Sequence, residues 1–186
     1  MRSASGYSRT MELVAPGTEA APDAAPAERE IMQWDDLGTA ARWLAETVHA
    51  DGYQPDIILA IARGGLLPGG ALGYALVVKN TFTINVEFYT DVDQRLEVPL
   101  ILPPVPKLVD VTAERVLIVD DVADTGGTLK VVQEFCAGQV GEVRTAVLYE
   151  KPQSIVKCDY AWRRTDKWIT FPWSAEPPVT GGKGEG

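Results

Sequence analysis

The chain has 186 residues, of which 46% are apolar and 23% charged, a balance that suits one globular domain and excludes fibrous and wholly disordered classes. A net charge of −9 excludes a broad nucleic-acid surface while leaving room for a local cationic site that takes a small polyanion. No apolar run approaches the length of a membrane span, and Cys136, Cys158 and the single histidine, His49, are too few and too scattered for a zinc cluster or a histidine triad.

Residues 1–30 are rich in Ala, Pro and Glu and are expected to form a disordered tail. Met11 and Met32 leave a later start of translation open, and the segment lacks the apolar core of a secretory signal, so a cytoplasmic protein with reduced, packed thiols is expected. Asp35 or Asp36 is expected to cap a helix whose apolar residues Leu37, Ala40, Ala41, Leu44 and Val48 keep helical spacing up to Gly52. A strand is predicted over 57–62, followed by the glycine-rich turn Arg63-Gly64-Gly65, a helix over 67–78 and an alternating strand over 81–88. Prolines 99, 103, 104 and 106 break the pattern over 89–112, which reads as a binding loop or lid.

Val116-Leu117-Ile118-Val119 is short, β-branched and uninterrupted, as befits a central parallel strand buried on both faces. Asp120 and Asp121 would emerge at its carboxyl end, where open α/β sheets bind ligands. Asp124 and Thr125-Gly126-Gly127-Thr128 follow, and a helix is predicted from Thr128 to Cys136, stopping at Gly138. Glycines turn backbone amides toward an anion, hydroxyls add donors and the helix start adds positive potential, so this loop suits a phosphate, while paired acids suit Mg²⁺ or sugar hydroxyls. Further strands are predicted over 143–149 and near 158–161, then an aromatic segment with Trp162, Trp168, Phe171 and Trp173, and a flexible tail over 176–186. The alternation defines an α/β domain over 31–175, with a mostly parallel sheet flanked by helices.

Asp124-Thr125-Gly126 alone would also suit an aspartic protease, but no second such triplet is present to share a proton. The segment from Arg115 to Leu129 instead resembles, without a gap, the phosphoribosyl diphosphate (PRPP) signature of type I phosphoribosyltransferases: four apolar residues, two acids and a terminal Asp-Thr-Gly-Gly-Thr. The resemblance spans roughly Asp35 to Trp173 and is closest to bacterial xanthine-guanine and hypoxanthine enzymes. It implies a twisted, mostly parallel sheet with a small carboxyl-terminal hood. It also implies transfer of phosphoribose from PRPP to a 6-oxopurine such as guanine, hypoxanthine or xanthine, giving a nucleoside 5′-monophosphate and diphosphate.

By the same resemblance, Asp124 is the catalytic base at the purine N7, suited to a partly desolvated carboxylate. Asp120 and Asp121 hold ribose and help to hold Mg²⁺, while Val122, Ala123, Thr125, Gly126, Gly127 and Thr128 surround the 5′-phosphate. Arg63, Gly64 and Gly65, with Arg95 from the lid, take the diphosphate; Ala62 stands where bacterial relatives usually have Ser, removing one hydroxyl contact. Lys151 meets the purine O6, Trp168 stacks on the base and the backbone of Ile169 reads its 2-position. The expected partners are PRPP and a purine base, with no nucleic acid or membrane, in a homo-oligomer that is a dimer or tetramer. A nucleotide-sensing regulator of the same fold, or an enzyme with a different base acceptor, remains the alternative.

Overall fold

The computed structural model describes residues 28–90, 97–102 and 115–179. A six-stranded sheet runs β4-β3-β2-β5-β6-β7, with β2 Ile57–Ala62, β3 Thr81–Thr90, β4 Glu97–Leu102, β5 Arg115–Ala123, β6 Glu142–Glu150 and β7 Tyr160–Arg164. All neighbours are parallel except β3 and β4. Side chains of β5 alternate between two cores, as the pleat of a strand buried on both faces requires. Leu117 and Val119 join α1 Trp34–Ala50 and α2 Leu66–Ala75, while Val116 and Ile118 join α3 Gly127–Cys136. None of the helices described is long and apolar enough to cross a membrane.

Several expectations are corrected. The first helix begins at Trp34 behind Gln33, and Asp36 serves three residues in, accepting the Gln33 backbone N–H at 2.8 Å, instead of being the cap itself. The second helix ends at Ala75, short of the expected 78, and Val77 there adopts φ 58°. Part of the expected lid is regular structure: β3 continues to Thr90, and Glu97–Leu102 pairs with it antiparallel, with Phe88 opposite Pro99. Among the described residues β4 is an edge strand, and strands with a single neighbour are where a proline is tolerated. The strand expected near 158–161 is β7, two residues later. The rest of the lid and residues 180–186 lie outside the described residues.

The expected tail also gives up its last residues. Arg29–Ile31 forms β1, which pairs in parallel with β8 Trp168–Thr170 in a separate two-stranded sheet. Ion pairs Glu30–Arg163 at 2.9 Å and Glu28–Lys167 at 3.0 Å border this small hood. Beneath it, Phe171 stacks on Trp173 at 4.7 Å between ring centroids, and Tyr149 meets Trp162 and Phe171 edge-on at 5.7 and 5.8 Å.

Gly126 shows how tightly the loop before α3 is packed. At φ 81° it is left-handed, and a β-carbon there would stand 2.5 Å from Ser154 Oγ and 2.8 Å from the Val156 backbone nitrogen. Gly138 has a similar φ of 75° with nothing within 4 Å. Urea titration should therefore give Gly126→Ala a loss of about 3 kcal/mol, from backbone strain plus overpacking, and Gly138→Ala a loss of about 1 kcal/mol from strain alone. Equal losses would show that the Gly126 contact carries no weight.

Candidate active site

The chain leaves β2 through α2 to reach β3 on one side, and returns to β5 on the other. Such a reversal opens a crevice at the carboxyl ends of the two central strands. The two glycine-rich segments meet there. Arg63 follows a cis Ala62–Arg63 peptide and is exposed, with no ion pair among the described residues. A β-carbon at Gly64 would stand 1.8 Å from Asp121 Oδ2, and one at Gly65 would stand 2.5 Å from the Val119 carbonyl. Backbone cannot move aside, so glycine is required at Gly65 for this loop to lie on the end of β5, whereas at Gly64 the Asp121 carboxylate would have to swing away.

Asp120 and Asp121 do not follow the strand as expected; they belong to β5, which continues to Ala123. Asp120 is 8% exposed and accepts the Asp121 backbone N–H at 2.9 Å. Burial raises the Asp120 carboxyl well above its ordinary pKa, and the neighbouring Asp121 charge adds to the shift; burial raises Asp121 as well. Together with Val122, Ala123, Asp124, Thr125, Gly126, Thr128 and Leu129 they line a recess of about 260 Å³. Gly127 adjoins it and donates its N–H to Thr125 Oγ1 at 3.3 Å, while the first-turn amides of α3 point toward the same end.

Asp124 is exposed, so the partial desolvation expected of it is not present; its Oδ1 accepts a 2.8 Å hydrogen bond from Gln153 Nε2. Lys151 is buried, and its ammonium donates to the backbone carbonyls of Asp166, at 3.2 Å, and Lys167. That brings it to the residue preceding Trp168, whose side chain is 65% exposed. Ile169 turns its side chain into the core and its backbone pairs opposite Glu30. Arg95 lies outside the described residues.

Sequence reading missed two groups beside this site. Gln153 lies in the turn after β6, and nothing in a single sequence shows that the turn folds back onto the loop after β5. Glu150 is buried, and its carboxylate takes the Cys158 N–H at 3.0 Å and faces Arg164 and Lys157 at 3.3 and 3.5 Å. Burial pushes its pKa up, but these contacts outweigh that and hold it below the usual value. Both thiols are buried and free, with burial raising Cys136 to about 11 and Cys158 to about 12.

A larger groove of about 740 Å³ opens at the opposite end of the sheet, beside His49, Tyr53 and Lys79. Its arginines are paired internally, Arg42 with Glu46 at 2.7 Å and Arg115 with Asp56 at 3.3 Å. The glycine loops and the clustered acids are all at the other end, so the smaller recess is the candidate site.

Residues 29–179 match the family described as the phosphoribosyl transferase domain. The chain belongs to the phosphoribosyltransferase family, and so to the pentosyltransferases as a class of enzyme. It is 32% identical over 160 residues to a xanthine-guanine phosphoribosyltransferase of Gluconobacter oxydans, covering 83% of this chain and 92% of that one. Identity is 33% over 147 residues to the enzyme of the same name from Nitratidesulfovibrio vulgaris, covering 78% and 84%. The crystal structure of a purine phosphoribosyltransferase from Pyrococcus horikoshii superposes with a TM-score of 0.73 at 39% identity, covering 83% of this chain and 99% of that one.

The buried acids imply a pH dependence of stability. A carboxyl whose pKa is raised by folding favours the fold fully below the unfolded-state value of about 3.9 and loses that contribution as pH rises through the raised one. Asp120→Asn keeps an acceptor for the Asp121 N–H and removes one charge. Its melting temperature at pH 7 should exceed that of the wild type by about 3 °C, equivalent to about 1 kcal/mol in a chain of this size. The gain should vanish below about pH 3.9, where both acids are neutral in either state. An unchanged melting temperature at pH 7 would mean that the ionised pair costs the fold nothing.

Proposed function

We propose that the protein transfers the phosphoribosyl group of PRPP to a 6-oxopurine, releasing diphosphate and a nucleoside 5′-monophosphate, as a step of purine salvage. The observation that carries this reading is the meeting of the Asp120-to-Thr128 segment with Gly64 and Gly65 in one crevice, with the Lys151 turn hydrogen-bonded beside it. The purine acceptor is supported by the names of the relatives at 32–33% identity and of the Pyrococcus structure at 39%.

In this reading the 5′-phosphate enters the loop of Val122, Ala123 and Thr125 to Thr128, where the amides at the start of α3 and the two threonine hydroxyls meet it. Arg63, with the amides of Gly64 and Gly65, faces the diphosphate, and Arg95 joins them from the lid. Asp120 and Asp121 accept from the ribose hydroxyls. They also fit Mg²⁺: both are hard oxygen donors, their crowding is relieved by a divalent cation, and Mg²⁺ commonly takes one or two carboxylates with the rest of its shell from substrate phosphates and water. When bound, Mg²⁺ supplies neutralisation of charge on the leaving diphosphate.

Lys151 spends two of its three donors on backbone carbonyls and directs the third to the purine O6. Trp168 offers its exposed ring to the base and the backbone at Ile169 meets the 2-position. The bond from the ribose C1 to the diphosphate oxygen breaks as the purine nitrogen bonds to C1, and the ring proton that must leave the base goes to Asp124. A homo-oligomer working in the cytoplasm on small molecules, with no nucleic-acid or membrane partner, belongs to the same proposal.

Purified protein with PRPP and Mg²⁺ should release diphosphate with one or more of guanine, hypoxanthine and xanthine, and with none of adenine, uracil or orotate. Asp124→Asn should lower kcat with the accepted purine about 100-fold, as expected for loss of a general base. Release with none of the 6-oxopurines, or an Asp124→Asn variant as fast as the wild type, would overturn the purine or the catalytic assignment respectively.

A further inference from the structure

The turn after β6 grips the loop after β5 at three successive places. Lys151 donates its backbone N–H to the Ala123 carbonyl at 2.9 Å, and Ile155 donates its own to the Thr125 carbonyl at 2.8 Å. Between them, the side-chain amide of Gln153 donates to Asp124 Oδ1 at 2.8 Å. The residue in the middle of the turn therefore holds the residue in the middle of the loop. The turn is itself anchored: Ser154 donates its N–H to the Lys151 carbonyl at 3.1 Å, and its buried hydroxyl donates to the Val156 carbonyl at 2.7 Å. Ser154 Oγ also packs where a side chain at Gly126 would otherwise stand.

We infer that Gln153 is a positioning residue for the reaction: it fixes the rotation of the Asp124 carboxylate, occupying Oδ1 so that Oδ2 is the oxygen presented to the substrate base. The inference rests on the reading of Asp124 given above and adds a residue that the signature does not contain. The chemical reason is directional. An exposed aspartate rotates freely about two side-chain bonds, and a proton acceptor works when its lone pair already points at the proton. A carboxylate accepts at both oxygens, so one can be spent on a fixed amide while the other stays basic. An amide suits this better than Lys or Arg, because a full positive charge would lower the basicity that the step needs. The turn also carries Lys151, so one stretch of backbone sets the spacing between the O6 contact and the acceptor at N7.

Gln153→Met keeps the length of the side chain and removes the donor. Because Gln153 is exposed and bonds only outward from an anchored turn, the melting temperature and the KM for PRPP should match the wild type, while kcat with the accepted 6-oxopurine should fall about tenfold. Gln153→Glu, which faces Asp124 with a second carboxylate, should fall further. In an Asp124→Asn background, Gln153→Met should cause no additional loss, since a residue that acts through Asp124 has nothing left to position. A Gln153→Met enzyme with wild-type kcat, or one that loses equally in both backgrounds, overturns the inference while leaving the purine reading intact. A wild-type chain that transfers to no 6-oxopurine overturns both.

Discussion

The approach of Gly65 to the backbone at the end of β5 is the contact on which the site depends. No side chain fits at Gly65, which lies against the carbonyls of Val119 and Ile61, while a β-carbon at Gly64 would stand 1.8 Å from Asp121 Oδ2 and would force that carboxylate to swing away. Two bare residues let the turn after β2 settle on the end of β5. That contact is offered by the order of the sheet, since β2 and β5 are neighbours although β3 and β4 lie between them in sequence. An exposed arginine, two crowded acids and a glycine loop then share one small crevice. Repulsion within the acid pair is tolerated because residues 57–61 of β2 and 116–119 of β5 form an apolar core below it, covered on both faces by α1, α2 and α3. The stability of the core is spent on a site that is poor for folding and suited to a polyanion accompanied by a cation.

What could be read from the sequence follows from how far apart the cooperating residues are. The 116–119 run and the 57–62 run announced buried parallel strands, and the spacing from Leu37 to Val48 announced α1, because each signal is local and periodic. The PRPP-like segment was legible for the same reason: strand, acids and loop are contiguous. The carboxyl-terminal hood was expected from the resemblance alone, and its pairing with the amino-terminal β1 was not, since β1 and β8 are three residues each and lie far apart in the chain. β4 was hidden by Pro99, which signals a break everywhere except at a sheet edge. The extension of β5 through Asp120 and Asp121 was hidden too, because aspartate is a poor strand former and its burial here is imposed by tertiary structure. Gln153 and Glu150 carry no local signal at all; their partners Asp124 and Cys158 lie across turns.

The hood illustrates how weak and strong terms divide the work. Its visible ion pairs, Glu30 with Arg163 and Glu28 with Lys167, reach into solvent, where screening leaves such pairs weak. The position of β8 is set instead by the apolar surface of Tyr149, Trp162, Phe171 and Trp173 and by the Lys151 ammonium, which is buried with its protons shared between two hood carbonyls. A buried cation without a carboxylate partner is tolerated when backbone oxygens replace its water. It follows that Lys151 cannot be treated as a substrate contact alone. Under the proposed reading, the charge that meets the purine oxygen also ties β6 to the strand bearing Trp168. Any change that weakens one grip shifts the other, so recognition of the base edge and placement of the stacking ring are coupled through a single side chain.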